Sequence, residues 1–170
     1  CLPNYSVFDE KRYFVAGMES VVATIKGVRV GLTLCEDIWQ PGPARQAAAA
    51  GAQVLLNLNA SPFHAGKGQL RLDMLRQRVA ECGLPIVYVN LVGGQDELVF
   101  DGGSLVFDHE GRLLARGSQF ASEMLIVDVP IPPVYRKRLL DPRGRATRAL
   151  LPTVEVSPSP VVQSGPAHGT

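Results

Sequence analysis

Short apolar runs separated by Gly, Pro and polar residues dominate the first 129 positions of the chain. Each run is rich in Val, Ile and Leu and is five to seven residues long, which is typical of a buried β-strand. The predicted strands cover residues 21–25, 28–34, 54–58 and 86–92. Because Lys26 and Gly27 alone separate the first two runs, we expect these two strands to form a hairpin.

Two helices are predicted between these strands. Leu72, Leu75, Val79 and Cys82 recur three or four positions apart, which predicts a helix over 68–81 with one buried face. A second helix is expected over 44–50, with Gly51 at its C-terminal end. Strands that alternate with helices in this way indicate the α/β fold class.

A meander of shorter strands is predicted from residue 93 to residue 129. Residues 93–97 are interpreted as a turn, and 99–100 and 104–108 as paired strands. The turn at 109–111 then leads into further strands at 113–115 and 124–129.

Composition changes after residue 129. Residues 130–170 contain eight of the 13 prolines and six Lys and Arg against two Asp and Glu. This Pro-rich and basic composition predicts a linker or disordered tail, so we expect one domain over 1–129 and a tail over 130–170. We do not expect a nucleic-acid-binding arm, since no aromatic residues are interleaved with the basic ones.

The net charge, the hydropathy and the number of cysteines limit which partners and which compartment we expect. The net charge of +1 favours neither nucleic acid nor an anionic membrane, and no apolar run approaches the ~18 residues of a membrane span. Three widely spaced cysteines fit neither a disulfide framework nor a metal site, and we therefore expect a reducing, cytoplasmic location. Because the chain starts at Cys1 without an initiator Met, we expect it to be a natural fragment or a mis-started reading frame.

The strongest candidate for chemistry is Cys35. The strand over 28–34 ends directly at this thiol, and Glu36 and Asp37 follow it. A turn at the end of a strand exposes a nucleophile and leaves backbone N–H groups free beside it. A thiol also needs a base or a cation nearby to become a thiolate, and His64, Lys67 and Glu36 are the candidates. The alternative is that Cys35 is a buried structural residue.

Four motifs occur in order along the chain and together resemble one known family. They are L-P-N-Y-x-V-F-D-E-x-R-Y-F (2–14), L-C-E-D-I-W (34–39), N-x-S-P-F (59–63) and G-G-Q-D-E-L-V-F-D-G-x-S (93–104). This set resembles the glutaminase domain of glutamine-dependent NAD synthetases, a branch of the nitrilase, or carbon-nitrogen hydrolase, superfamily. The resemblance covers residues 1 to about 129.

The resemblance implies an αββα sandwich, of which this chain would form part. It implies that Cys35 is the nucleophile that hydrolyses glutamine through a thioester, with the Glu36 backbone N–H in the oxyanion hole. Tyr5, Ser61 and Lys67 match positions that contact glutamine. The released ammonia would pass to a synthetase domain of the parent chain, which would use ATP and Mg²⁺ to amidate deamido-NAD. The parent enzyme would be a homo-oligomer.

Some catalytic residues and motifs of this family have no counterpart in the sequence. The general-base Glu and the Lys of the Cys-Glu-Lys triad would precede Cys1, and no pyrophosphate-loop motif is present. We therefore expect no cofactor or metal in this segment and little activity from the chain alone. Two alternatives stay open: a stand-alone amidase or carbamoylase of the same superfamily, and a non-catalytic interaction module.

Overall fold

The computed structural model describes residues 1–5, 8–132 and 151–158 of the chain. In these ranges it has two α-helices, α1 (Pro41–Ala49) and α2 (Lys67–Cys82), and two 3₁₀ turns, at Glu10–Arg12 and Cys35–Trp39. The strands of the same ranges are β1 (Val21–Ile25), β2 (Val28–Leu34), β3 (Val54–Asn59), β4 (Ile86–Asn90), β5 (Val92–Gln95), β6 (Leu98–Asp101), β7 (Leu105–Phe107), β8 (Leu113–Arg116) and β9 (Thr153–Ser157).

One sheet organises the molecule, with the strand order β8-β7-β4-β3-β2-β1-β9. The predicted hairpin is confirmed: β1 and β2 are antiparallel, and Lys26 and Gly27 take the positive φ values (47° and 79°) that a tight hairpin turn needs. β2, β3 and β4 are parallel neighbours. Their carboxyl ends therefore meet at one edge of the sheet, where α/β folds place their functional sites.

The face of the sheet that α1 and α2 cover, here called the helix-covered face, holds the apolar core. The predicted stripe of α2 is confirmed, since Leu72, Leu75, Val79 and Cys82 are all buried against the sheet. The strands supply the other side of this core through Val22, Leu55, Ile86, Tyr88, Leu105 and Phe107.

Gly31 allows the closest approach between this face and its helical cover. A Cβ atom at Gly31 would lie 2.6 Å from Leu55 Cδ2 and 2.9 Å from the Ala47 Cβ of α1. Those separations are shorter than carbon atoms tolerate, so β2 and α1 pack this tightly only because position 31 has no side chain.

The opposite face, here called the outer face, is apolar but partly uncovered. Leu34 and Leu58, which are paired in register at the ends of β2 and β3, are 63% and 56% exposed, and the neighbouring Val89 is 46% exposed. The α/β class is confirmed. Of the four layers of an αββα sandwich, the described residues form one helical layer and one seven-stranded sheet, with a small two-stranded sheet beside it.

The start of α1 differs from the prediction. The helix begins at Pro41, three residues before the expected start at residue 44, and it includes Gly42 and Pro43. Proline is well tolerated in the first turn of a helix, because the N–H it lacks has no intrahelical acceptor there. The end is as expected, since Gly51 has a positive φ of 89° just after the last turn.

The predicted pairing of the strands near residue 100 is wrong. β6 pairs with β5 in a separate two-stranded sheet, whereas β7 pairs with β4 and β8. Gly102 and Gly103 both have positive φ (65° and 62°), and this redirects the chain between β6 and β7. The turn predicted over 93–97 is reduced to residues 96–97, because residues 93–95 belong to β5.

The strand predicted over 124–129 is also wrong. This segment has no regular secondary structure, and Met124 and Ile126 are 88% and 87% exposed. A β-prone run forms a strand only when it pairs with another edge, and this run pairs with none of the described strands.

The segment predicted as a linker or tail contains β9. Residues Thr153–Ser157 pair in parallel with β1 at the edge of the main sheet, so the prediction is wrong for these five residues. Their alternation of polar and apolar residues was a strand signal. The rest of that prediction, including the basic cluster at 136–138, falls mostly on residues 133–150 and 159–170, which lie outside the described part of the chain.

Candidate active site

Cys35 lies where the carboxyl end of β2 turns into a 3₁₀ turn. Its φ of +39° is unusual for a residue with a side chain, and it turns the chain away from the sheet immediately after Leu34. Asp37 stabilises this turn, because its Oδ2 accepts a hydrogen bond of 3.0 Å from the Leu34 N–H. The thiol is therefore presented from a fixed backbone at the sheet edge predicted from the sequence.

Burial raises the pKa of the Cys35 thiol above its ordinary value, and the negative charge of Glu36 raises it further. Three groups act in the opposite direction: the backbone N–H groups of Ala60 and Glu36, which can donate hydrogen bonds to a thiolate, and the ammonium of Lys67. A half-buried thiol with backbone donors and a cation beside it can become a nucleophile once its proton is removed.

The Glu36 side chain is held by Tyr5. The Tyr5 hydroxyl donates a hydrogen bond of 2.8 Å to Glu36 Oε2. Removal of water from around the hydroxyl, together with this hydrogen bond, raises the pKa of Tyr5 to about 12. Tyr5 is therefore a hydrogen-bond donor at neutral pH, and its ring is 57% exposed beside the thiol loop.

Lys67 is the first residue of α2, and it is half-buried. Burial lowers its pKa, and the positive charge of Arg71 lowers it further, whereas Cys35, Glu36 and Asp101 favour the charged form. Among the partners considered for the thiol, Lys67 and Glu36 both act on Cys35. His64 is exposed, and its Nδ1 lies 3.4 Å from the Ala65 carbonyl oxygen.

Ser61 is buried, with 3% of its surface exposed. Its N–H donates to Asn90 Oδ1 (2.9 Å), and its carbonyl oxygen accepts from Arg71 Nη2 (2.9 Å). The Ser61 Oγ also lies 3.4 Å from Arg71 Nη2. The structure thus brings Ser61 into a polar layer beneath the loop that follows β3, and its contact with glutamine stays a prediction.

Sequence reasoning missed the buried ion pair beneath this loop. Arg71 is 2% exposed, and Asp101 at the end of β6 is 1% exposed. Arg71 Nη1 donates to both carboxylate oxygens of Asp101, at 2.8 and 3.0 Å. A signal was available: positions 71 and 78 fall on the same helical stripe as Leu75 and Cys82, and a charged residue on a buried stripe requires a buried partner.

A cavity of about 540 Å³ lies against the outer face, near the carboxyl ends of β3 and β4. Leu58, Asn59 and Val89 line it from the sheet, and residues 117–118 and 121–123 line it from the other side. Cys35 does not line this cavity, which is therefore distinct from the space around the thiol.

No group of three or more His, Cys, Asp and Glu that could hold a metal ion is found in residues 1–5, 8–132 and 151–158. None of the helices within those same ranges is both long and apolar enough to cross a membrane.

An α/β sheet with a strained cysteine at its carboxyl edge, flanked by backbone donors and a lysine, is typical of a cysteine-dependent hydrolase. The chain belongs to the carbon-nitrogen hydrolase family, whose model matches residues 2–138.

Within that family it is similar to the glutamine-dependent NAD(+) synthetase of Aquifex aeolicus (strain VF5), with 48% identity over 145 residues. This match covers 85% of the chain and 26% of the relative, and the chain spans about a quarter of the length of the curated relatives it first matches.

Two solved structures show the same fold. The glutamine-dependent NAD+ synthetase of Acinetobacter baumannii, in complex with ADP, superposes with a TM-score of 0.69 at 35% identity and covers 79% of this chain and 28% of that one. The carbon-nitrogen hydrolase of Helicobacter pylori G27 superposes with a TM-score of 0.74 at 27% identity and covers 87% and 56%. The family and fold expected from the four motifs are confirmed.

Proposed function

We propose that this chain carries the nucleophile of a glutaminase, which hydrolyses the side-chain amide of glutamine within a glutamine-dependent NAD+ synthetase. The observation that carries the proposal is the position of Cys35 at the end of β2, between the N–H groups of Ala60 and Glu36 and beside the Lys67 ammonium. The similarity to NAD(+) synthetases over 85% of the chain supports the choice of glutamine.

The reaction proceeds through a thioester. The Cys35 thiolate attacks the amide carbon of glutamine, and the oxygen becomes an oxyanion that the Glu36 N–H stabilises. The C–N bond then breaks, and the nitrogen leaves as ammonia after it takes up a proton. Water hydrolyses the resulting γ-glutamyl thioester and releases glutamate and the free thiol.

The polar groups around the thiol suit a free amino acid. The Lys67 ammonium is a charged partner for the α-carboxylate, and the Tyr5 hydroxyl and Ser61 Oγ are hydrogen-bonding groups. In the longer parent enzyme, the ammonia passes to a synthetase domain that uses ATP and Mg²⁺ to amidate deamido-NAD. That enzyme is a homo-oligomer of the cytoplasm.

The chain by itself hydrolyses glutamine only very slowly. Among the described residues, Glu36 is the carboxylate that acts on the thiol, and its side chain accepts the Tyr5 hydrogen bond instead of a thiol proton. A nucleophile that no general base deprotonates reacts several orders of magnitude more slowly. Ammonia release that is fast and depends on Cys35 would contradict this part of the proposal.

Glutamine recognition is tested by protection of the thiol. We expect glutamine to slow iodoacetamide alkylation of Cys35 and to leave the alkylation of an added cysteine-containing peptide unchanged, as measured by peptide mass spectrometry. Asparagine, which is one methylene shorter, is the matched control and should protect far less. Equal protection by both amino acids, or by neither, would contradict the proposal.

A stand-alone amidase is the second candidate, because the Helicobacter pylori carbon-nitrogen hydrolase shares this fold over 87% of the chain. The same assay separates the two, since an amidase would be protected by simple aliphatic amides such as butyramide. The chain is 48% identical to an NAD(+) synthetase and 27% identical to the Helicobacter pylori hydrolase, and this difference favours glutamine as the substrate.

A non-catalytic module in which Cys35 is structural makes a different prediction. In the complete parent enzyme, Cys35→Ala should abolish NAD synthesis with glutamine and leave synthesis with free ammonia intact. Unchanged glutamine-dependent activity would favour the module instead.

A further inference from the structure

Arg71 is a buried cation directly beneath the loop that carries the backbone donors to the thiol. It lies one turn after Lys67 on α2, and 2% of its surface is exposed. Its guanidinium donates to Asp101 through Nη1 and to the Ser61 carbonyl oxygen through Nη2, and Nη2 also lies 3.4 Å from the Pro62 carbonyl oxygen. One side chain thus connects α2, β6 and the loop after β3.

The carboxylate that anchors Arg71 is itself fixed. Asp101 Oδ2 accepts a second hydrogen bond from Gln119 Nε2 (2.8 Å), and Asn90 Nδ2 donates to both the Ser61 and Gly102 carbonyl oxygens (3.3 and 3.0 Å). The peptide groups on both sides of Ser61 are therefore held by the side chains of Arg71 and Asn90, which are 2% and 6% exposed.

Ala60 connects these hydrogen bonds to the Cys35 thiol. The Ala60 N–H acts on Cys35, and Ala60 immediately precedes the residue whose carbonyl and N–H are clamped by Arg71 and Asn90. The Ala60 N–H lies one peptide group before the Ser61 N–H that Asn90 holds, so movement of the Ser61 backbone would change the orientation of the Ala60 N–H toward the sulfur.

We propose that Arg71, anchored by Asp101, is a positioning residue that holds the Ala60–Ser61 backbone so that the Ala60 N–H faces the Cys35 sulfur and sets the reactivity of the thiolate. The inference deepens the proposed function and rests on it, because it assigns Arg71 a role only if Cys35 is the nucleophile.

Stability alone does not explain why this charged pair is buried. Buried ion pairs are often replaced by apolar side chains with no loss of stability, since desolvation of the two charges offsets their attraction. The guanidinium fork, by contrast, gives directional hydrogen bonds to the backbone carbonyls of one loop, which an apolar side chain cannot do.

The test is the pH dependence of Cys35 alkylation in the 170-residue chain. In Arg71→Met, we expect the midpoint pH of the Cys35 rate to rise by about one unit, a roughly tenfold slower reaction below the midpoint, because the thiolate loses a well-aligned donor. A cysteine-containing peptide added to each sample is the internal reference, because the Cys1 ammonium pairs with Asp37 in the turn that carries Cys35, and protection of the buried Cys82 reports that the variant is folded.

Arg78→Met is the matched control. Arg78 is buried on the same helix, 5% exposed, and pairs with Glu81 Oε2 at 2.5 Å, away from the loop. It should lower stability and leave the Cys35 midpoint unchanged. An equal shift in Arg78→Met would overturn the inference, since the effect would then be general loosening of α2.

Two milder variants decide the outcome if Arg71→Met does not fold. Asp101→Asn removes the charge that anchors Arg71, and Arg71→Lys keeps the positive charge but loses the fork, so both should raise the midpoint by less than Arg71→Met. A wild-type midpoint in the folded variants would overturn the inference. Alkylation needs no glutamine. If glutamine failed to protect Cys35, that would count against glutamine as the substrate, and the effect of Arg71 on the midpoint pH would still be measured independently.

Discussion

The two faces of the main sheet come from the same strands, yet they are in different surroundings. On the helix-covered face, Leu55 of β3 has no exposed surface and packs against α2 and its neighbours. Three residues later on the same strand, Leu58 points to the outer face and is 56% exposed. Apolar residues of β3 occur on both faces, with Leu55 toward the helices and Val54, Leu56 and Leu58 on the other side, and this is typical of strands that are covered on both sides. Apolar composition therefore indicates which strand is central, but it does not identify what covers each face.

The largest expected effect is on the helix-covered face. Leu55→Ala should lower the free energy of unfolding by about 2–5 kcal/mol, because it removes buried methyl groups and leaves a cavity that packed neighbours fill only in part. Leu58→Ala is its matched control and should cost less than ~0.5 kcal/mol. Urea unfolding of the two variants measures the difference. Equal decreases in the free energy of unfolding would show that the outer face is as well packed as the helix-covered face.

A smaller effect is expected at the closest contact of that face. Gly31→Ala should destabilise the chain by about 1–3 kcal/mol, since its Cβ would overlap Leu55 and Ala47 unless the backbone moved. Gly42→Ala on α1 has nothing within 4 Å of the added Cβ and should leave the melting temperature equal or higher. A Gly31→Ala variant as stable as the wild type would mean that α1 is not seated on β2.

The smallest change in stability is expected on the outer face. Leu58→Thr combined with Val89→Thr replaces two neighbouring exposed side chains, and the melting temperature should change little, because both remain in β-strands and neither is buried. Binding of a fluorescent apolar dye and self-association should both decrease, since the uncovered apolar area is smaller. A large fall in melting temperature would indicate that this face is covered in solution.

Several features of the fold and the site could be predicted from local sequence. The bounds of β1 and β2, the buried stripe of α2 and the position of Cys35 all follow from short-range patterns, because strand alternation, helical spacing and glycine turns act within a few residues. The four ordered motifs added the family, which the matches to NAD(+) synthetases and a carbon-nitrogen hydrolase structure confirm.

Other features depend on which segments meet. The partner of β6, the pairing of β9 with β1 and the absence of a strand over 124–129 were not predicted, because a strand is defined by a neighbour that is distant in sequence. Glu36 and Lys67 were candidate partners of the thiol from their positions in the sequence, and a role for Tyr5 was expected from the resemblance. Their distances and mutual charge effects required the folded chain.

The sequence by itself determined the local elements and the thiol at the end of β2. The tertiary structure alone decided that Arg71 and Asp101, thirty positions apart, form a buried pair beneath the Ala60–Ser61 loop. A charged residue in an apolar stripe indicates only that it needs a partner of opposite charge or a hydrogen-bonding partner. The identity of that partner depends on long-range packing, because the low-polarity interior makes an unpaired charge costly and so selects the fold in which the two meet.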